Sequence, residues 1–299
     1  MRFELNNKIE HLLILGAGAS VEYGLPTWKE LDQLIKDKIN SDKEVRYKYH
    51  KEILAWIDKI GENKEYNTID ECIAKESVKH HSDGDKIEDH IFLIMEDILN
   101  ERYKDNNNGW IKVLNEKILH NTQNSLEHRI AFINYNYDNV LNRNFLKFGH
   151  LSDKERRLTH KPRLSYLSGV NVQSIHPHGH ISYKEELYDI SQIYTQSDTI
   201  KSDNREYINM VSCHDSKNHS IFKINYVSNI KLYFLGLGGG LQVNLGKINF
   251  ENQISEIHVT IKDTSKKADI LKFLSEEYGK PETEIKVYST CIELIEKCF

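Results

Sequence analysis

The stretch Leu12-Leu13-Ile14-Leu15-Gly16-Ala17-Gly18-Ala19-Ser20, closed by Gly24-Leu25-Pro26-Thr27, decides the fold. Four apolar residues run straight into a glycine-rich turn. A strand that is apolar on both faces belongs in the middle of a parallel sheet covered by helices. Gly16 and Gly18 permit a tight turn and a close approach of backbone to a phosphate. The helix that follows can aim its N–H groups and positive dipole end at that phosphate. The dinucleotide fingerprint also asks for a third glycine and, about 20 residues on, an acidic residue at the end of a second strand. Here the chain after Thr27 reads as helix instead.

Working outward, Trp28, Leu31, Leu34 and Ile35 predict a helix over about 28–40, capped at or near Thr27. Residues 41–128 read as helices joined by polar loops. Strands return at 129–134, 172–175, 231–235, 257–261 and 285–288, with helices near 266–279 and 290–298. This order predicts one α/β domain over 1–299. Its core is a Rossmann-like, mostly parallel sheet, and 41–128 forms a helical insertion after the first strand–helix unit.

Composition fits a packed globular chain. Of 299 residues, 39% are hydrophobic and 28% charged, and four prolines leave little room for long linkers. A net charge of −5 argues against a nucleic-acid surface along the whole chain. No apolar run approaches the ~20 residues that span a bilayer. Met1–Glu10 lacks the apolar core of a signal peptide. Cys72, Cys213, Cys291 and Cys298 are scattered without C-x-x-C spacing, which predicts reduced thiols in a cytoplasmic protein.

Three polar clusters fall where strand ends are expected, which is where ligands sit in such sheets. The first is Asn134-Tyr135-Asn136-Tyr137-Asp138-Asn139. Extended backbone would put Asn134, Asn136 and Asp138 on one side, able to hold sugar hydroxyls and orient a water. The same residues also suit a turn with Asp138 as a helix cap. The second is His176-Pro177-His178-Gly179-His180. It is read as one catalytic histidine in a cleft, as a metal site or as plain loop histidines. The third is Gly236-Leu237-Gly238-Gly239-Gly240, a second turn where backbone can approach a ligand.

At these residues the chain resembles the SIR2 superfamily. The family's Gly-Ala-Gly-x-Ser, Gly-[Ile/Leu]-Pro, Thr-Gln-Asn-x-Asp and His-Gly motifs look like Gly16-Ala17-Gly18-Ala19-Ser20, Gly24-Leu25-Pro26, Asn136-Tyr137-Asp138 (after Asn134-Tyr135 in place of Thr-Gln) and His178-Gly179. The Asn-Tyr-Asp version is closer to the bacterial SIR2-like proteins of antiphage defence than to true sirtuins. The chain departs from the deacylases in two respects. Only Cys213 stands where they carry a four-cysteine zinc module, and Thr27-Trp28-Lys29 replaces Asp-Phe-Arg. Protein deacylation and a bound metal are therefore not expected.

The resemblance implies hydrolysis of NAD+ to nicotinamide and ADP-ribose by an NAD+-depleting effector. Asn136, Asp138 and His178 would carry the chemistry. Asn136 would position water or a ribose hydroxyl, Asp138 would hold the ribose or support its cationic ring, and His178 would act as general base. Gly16, Ala17, Gly18 and Ser20 would hold the pyrophosphate. Pro26, Thr27, Trp28, Gly236 and Gly238 would complete the dinucleotide site, with Trp28 over the nicotinamide end. Such an enzyme would be gated by self-association or by a partner defence protein, without membrane or direct nucleic-acid binding.

Three other readings fit parts of the pattern. One is a non-catalytic NAD+ or ADP-ribose sensor in a defence complex. Another is a metal-dependent hydrolase built on His176, His178 and His180, with Glu185 and Glu186 as the nearest acidic residues. AbiH-like defence proteins share a glycine turn, an Asn-Tyr motif and a His-Gly.

Overall fold

The computed structural model describes residues 9–41, 49–61, 64–66, 69, 72–73, 75–76, 84–120, 126, 129–136, 138, 140–141, 144, 165–167, 172–175, 222–224, 229–238, 248–250 and 254–299. These fall into two compact units. One draws on Met1–Tyr23, Asp105–Pro177 and His219–Phe299, and the other on Gly24–Lys104 and His178–Asn218.

The first unit is built on a seven-stranded sheet. Its strands are β1 (His11–Leu15), β2 (Ile130–Asn134), β3 (Ser165–Leu167), β4 (Val172–Ile175), β6 (Ile230–Leu235), β8 (Ile254–Thr260) and β9 (Lys286–Tyr288). Two further strands, β5 (Phe222–Ile224) and β7 (Ile248–Phe250), form a separate parallel pair. The order across the large sheet is β3-β4-β2-β1-β6-β8-β9. All neighbours are parallel except β3, which adds an antiparallel edge to β4. Counting parallel strands alone, the order is 3-2-1-4-5-6, that of the doubly wound dinucleotide folds. The expected α/β Rossmann-like sheet is therefore present. The antiparallel edge was not anticipated.

β1 lies at the centre because its residues suit burial on both faces. Leu12, Leu13 and Ile14 are fully buried, and each such side chain contributes about 2 kcal/mol. Leu12 and Ile14 join Ala131, Ile133, Leu232, Phe234, Ile257 and Val259 in one apolar layer. Ile270 and Leu274 complete it. These last two lie on α5 (Lys267–Tyr278), which ends at Gly279 with φ +63°. Leu13 faces the other way, in register with Phe132 and Tyr233. Also in this unit, α4 (Trp110–His120) packs on α6 (Cys291–Cys298).

The second unit contains α1 (Trp28–Ser41), α2 (His50–Ile57) and α3 (Gly84–Arg102), each packed on the other two. Ile35, Ile53, Trp56, Ile57, Ile91, Ile94 and Met95 are buried within it. Glu76 is also fully buried and accepts from Lys59 Nζ at 2.6 Å and from the Tyr66 hydroxyl. The helical region expected over 41–128 thus divides differently. Its α4 belongs with the sheet, whereas α1, read as part of the first crossover, belongs with the helices. No helix among the described residues is long and apolar enough to cross a membrane.

Candidate active site at the carboxyl ends of β1 and β2

β1 and β2 run parallel in register, Leu15 beside Asn134, so the segments that follow them emerge side by side. After β1 the chain enters a 3-10 helix, Ala17–Tyr23. After β2, Tyr135 donates its amide to Leu15 O at 3.1 Å. The segment then turns rather than staying extended, because Asn134 Oδ1 accepts the Asn136 amide at 3.0 Å. Asn134 therefore shapes the turn instead of joining Asn136 and Asp138 on one side.

The Asn136 side chain points at the glycine turn. Its Nδ2 donates to Gly16 O at 3.0 Å and to Ser20 Oγ at 3.2 Å. A carbonyl can only accept, so the nitrogen must face Gly16. The Oδ1 is left buried with no hydrogen-bond partner among the described residues. A buried acceptor left unpaired costs about 1–3 kcal/mol, so it calls for a partner such as a bound water or a ligand hydroxyl.

Ser20 links this amide to Asp138. Its hydroxyl accepts from Asn136 and donates to the Asp138 carboxyl, which also accepts the Val140 amide at 3.1 Å. Asp138 thus holds the amide two residues on, as its capping reading expects. Burial dominates its ionisation and raises its pKa to about 6, against the opposing pull of Ser20 and Val140.

The glycines have a different immediate role from the one expected. Gly16 donates its amide to Leu235 O and Gly18 to Gly236 O, both at 2.9 Å, and Ala19 donates back to Gly16 O. Those three amides are used within the fold and are not directed at a ligand. The turn after β1 is instead packed against the turn after β6. A Cβ on Gly236 would lie 1.8 Å from Ala19 N, and one on Gly16 or Gly18 would lie 2.8 Å from Gly236 O. Gly236 also has φ +65°, which an L side chain disfavours. Gly238 is exposed, with open space where a Cβ would stand.

Thr260, at the end of β8, accepts the Gly236 amide at 2.8 Å and so anchors the second turn. Thr260 was not among the expected site residues. A polar residue ending an apolar strand beside a glycine turn was the available signal.

Pro26, Thr27 and Trp28 belong to the second unit. Thr27 opens α1 as expected. Its amide and hydroxyl both donate to Glu30, at 2.7 and 2.8 Å, which holds the Glu30 carboxyl below its ordinary range. The Trp28 side chain, His176, His178, His180, Tyr137, Glu185, Glu186 and Cys213 lie outside the described residues. Among the described residues no group of three or more His, Cys, Asp or Glu is arranged to hold a metal. No family model matches the chain, and no curated protein is significantly similar to it.

Proposed function

We propose that the chain is a SIR2-like NAD+ glycohydrolase. The observation that carries this reading is the pairing of an unpartnered buried amide oxygen, Asn136 Oδ1, with a buried carboxyl of raised pKa, Asp138, bridged by Ser20 at the carboxyl ends of central strands. The oxygen suits a donor hydroxyl or an attacking water. The carboxyl suits a cation, because positive charge beside it favours its ionised form.

In hydrolysis the bond between ribose C1′ and the nicotinamide nitrogen breaks, and a water oxygen bonds to C1′. Neutral nicotinamide leaves and one proton is released. The transition state is oxocarbenium-like, as in other glycoside cleavage. Asn136 Oδ1 orients the water or a ribose hydroxyl. Asp138 stabilises positive charge on the sugar, and the incoming cation draws its pKa down from about 6. His178 takes the proton, a role suited to an imidazole near neutral pH.

By the same resemblance the enzyme depletes NAD+ in the cytoplasm during bacterial antiphage defence. A second copy or a partner protein gates it, because unrestrained turnover would harm the host.

The deciding experiment follows NAD+ consumption by the wild-type protein beside a folded Asn136→Ala variant, with chromatography for nicotinamide and ADP-ribose. Both products from wild type and neither from the variant support the proposal. A folded His178→Ala protein that turns over NAD+ at the wild-type rate removes His178 as base. Silence from the native complex isolated from cells, with NAD+ still bound, reassigns the chain as a sensor.

A further inference from the structure

We propose that Cys298 is a nucleophilic thiol, a site of covalent modification by low-molecular-weight disulfides, with His258 as its base and Glu256 as the residue that orients the base. Cys298 closes α6 and is partly exposed, whereas His258 on β8 is buried. The sulfur lies 3.2 Å from His258 Nδ1. The opposite ring nitrogen, Nε2, lies 3.1 Å from Glu256 Oε2.

The tautomer follows from Glu256. Lys231 and then Lys286 hold its carboxyl down at about 2. It is therefore an ionised, acceptor-only partner, and Nε2 must carry the hydrogen. Nδ1 is left as an acceptor facing the thiol. Nucleophile, base and orienting carboxylate stand in the order that activates a weak nucleophile. The Tyr288 hydroxyl, 3.0 Å from Nδ1 and 3.4 Å from the sulfur, offers a second path for the same proton.

Burial pushes the Cys298 thiol above its ordinary range, so the group rests protonated. Its proton passes to Nδ1 as the sulfur attacks. One new S–S bond forms and the S–S bond of the small disulfide breaks. The departing thiolate takes the proton from the imidazolium, giving a mixed disulfide and a free thiol. The small disulfide is the oxidant, and it is reduced as Cys298 is oxidised. This site shares no residue with the Asn136–Asp138 site.

The test exposes the reduced full-length chain to oxidised glutathione and follows each cysteine by peptide mass mapping. Cys72 and Cys291 serve as internal references, because burial pushes both thiols up to about 12. Cys298 is expected to react about 10-fold faster than either, and His258→Gln to slow it about 10-fold without altering the references. Equal rates for the three wild-type cysteines overturn the proposal, as does an unchanged Cys298 rate in folded His258→Gln. If that variant does not fold, Glu256→Gln decides. A slower Cys298 supports the oriented base, and an unchanged rate overturns it.

Discussion

Asp138 lies just past the end of β2 and Glu256 lies on β8, and the surroundings of the two carboxyls drive them in opposite directions. At the carboxyl ends of β1 and β2, burial outweighs two hydrogen-bond donors and Asp138 rises to about 6. On β8, Lys231 and Lys286 each reach Glu256 at 2.5 Å and it falls to about 2. Around Glu256 the demand for partners is met by cations. Around Asn136 and Asp138 it is not, and an acceptor is left open. The difference separates a carboxyl whose partners are all supplied within the fold from one that stands beside an open acceptor.

The largest expected effect tests the frame beneath the first region. Gly236→Ala puts a methyl group into backbone atoms of Gly18 and Ala19 at a left-handed φ, and should cost about 4 kcal/mol or more in urea unfolding. Gly238→Ala, with open space around it, should stay within about 0.5 kcal/mol of wild type. Equal costs would mean that the two turns are not packed together.

Asp138→Asn should stabilise the protein. Above pH about 6 both folded and unfolded chains hold Asp138 ionised, and the folded state bears the full burial penalty. As pH falls from about 6 to about 3.8 the folded carboxyl protonates first and the penalty fades. The variant should therefore gain about 1–3 kcal/mol at pH 7 and essentially nothing at about pH 3, read by urea unfolding at both values. A loss at pH 7 would break the comparison.

Glu256→Gln should act with the opposite sign and less force. Its stabilisation is complete above about 4.5 and lost as pH falls toward 2. Glu256 is partly exposed, and solvent screening limits the cost to about 1 kcal/mol or less. That cost should shrink further in added salt, as seen in melting curves at low and high ionic strength.

Much of this sheet was legible in the chain. β1, β6 and β8 are apolar runs ending in glycine or polar residues, and the 3.6-residue spacing of α1 and α5 marked both helices. Asn136 and Asp138 were visible because amides and a carboxylate clustered after an apolar strand. What the glycines do was not visible. The meeting of Gly18 with Gly236 is a contact between residues far apart in the chain, and the local sequence of either turn does not show it. The histidine on β8 was hidden for a similar reason. Glu256 and His258 alternate along one strand, but Lys231, Tyr288 and Cys298 come from three other elements. That α4 packs on α6 was hidden as well, because α4 has the same apolar spacing as the helices before it.

One feature reaches beyond the site. Trp110 donates its backbone amide to Glu22 at 2.7 Å and its indole N–H to Ala19 O at 2.9 Å, while Asn106 Nδ2 reaches Glu22 O at 3.2 Å. Just beyond, a Cβ on Gly24 would stand 2.5 Å from Arg102 O. Within the sheet unit, the segment ending at Tyr23 and the segment that starts at Asp105 are therefore held side by side. Two segments held side by side in this way make a splice point. Between its two sides a cargo of helices can be lengthened, shortened or exchanged, and the strands on either side need not register the change.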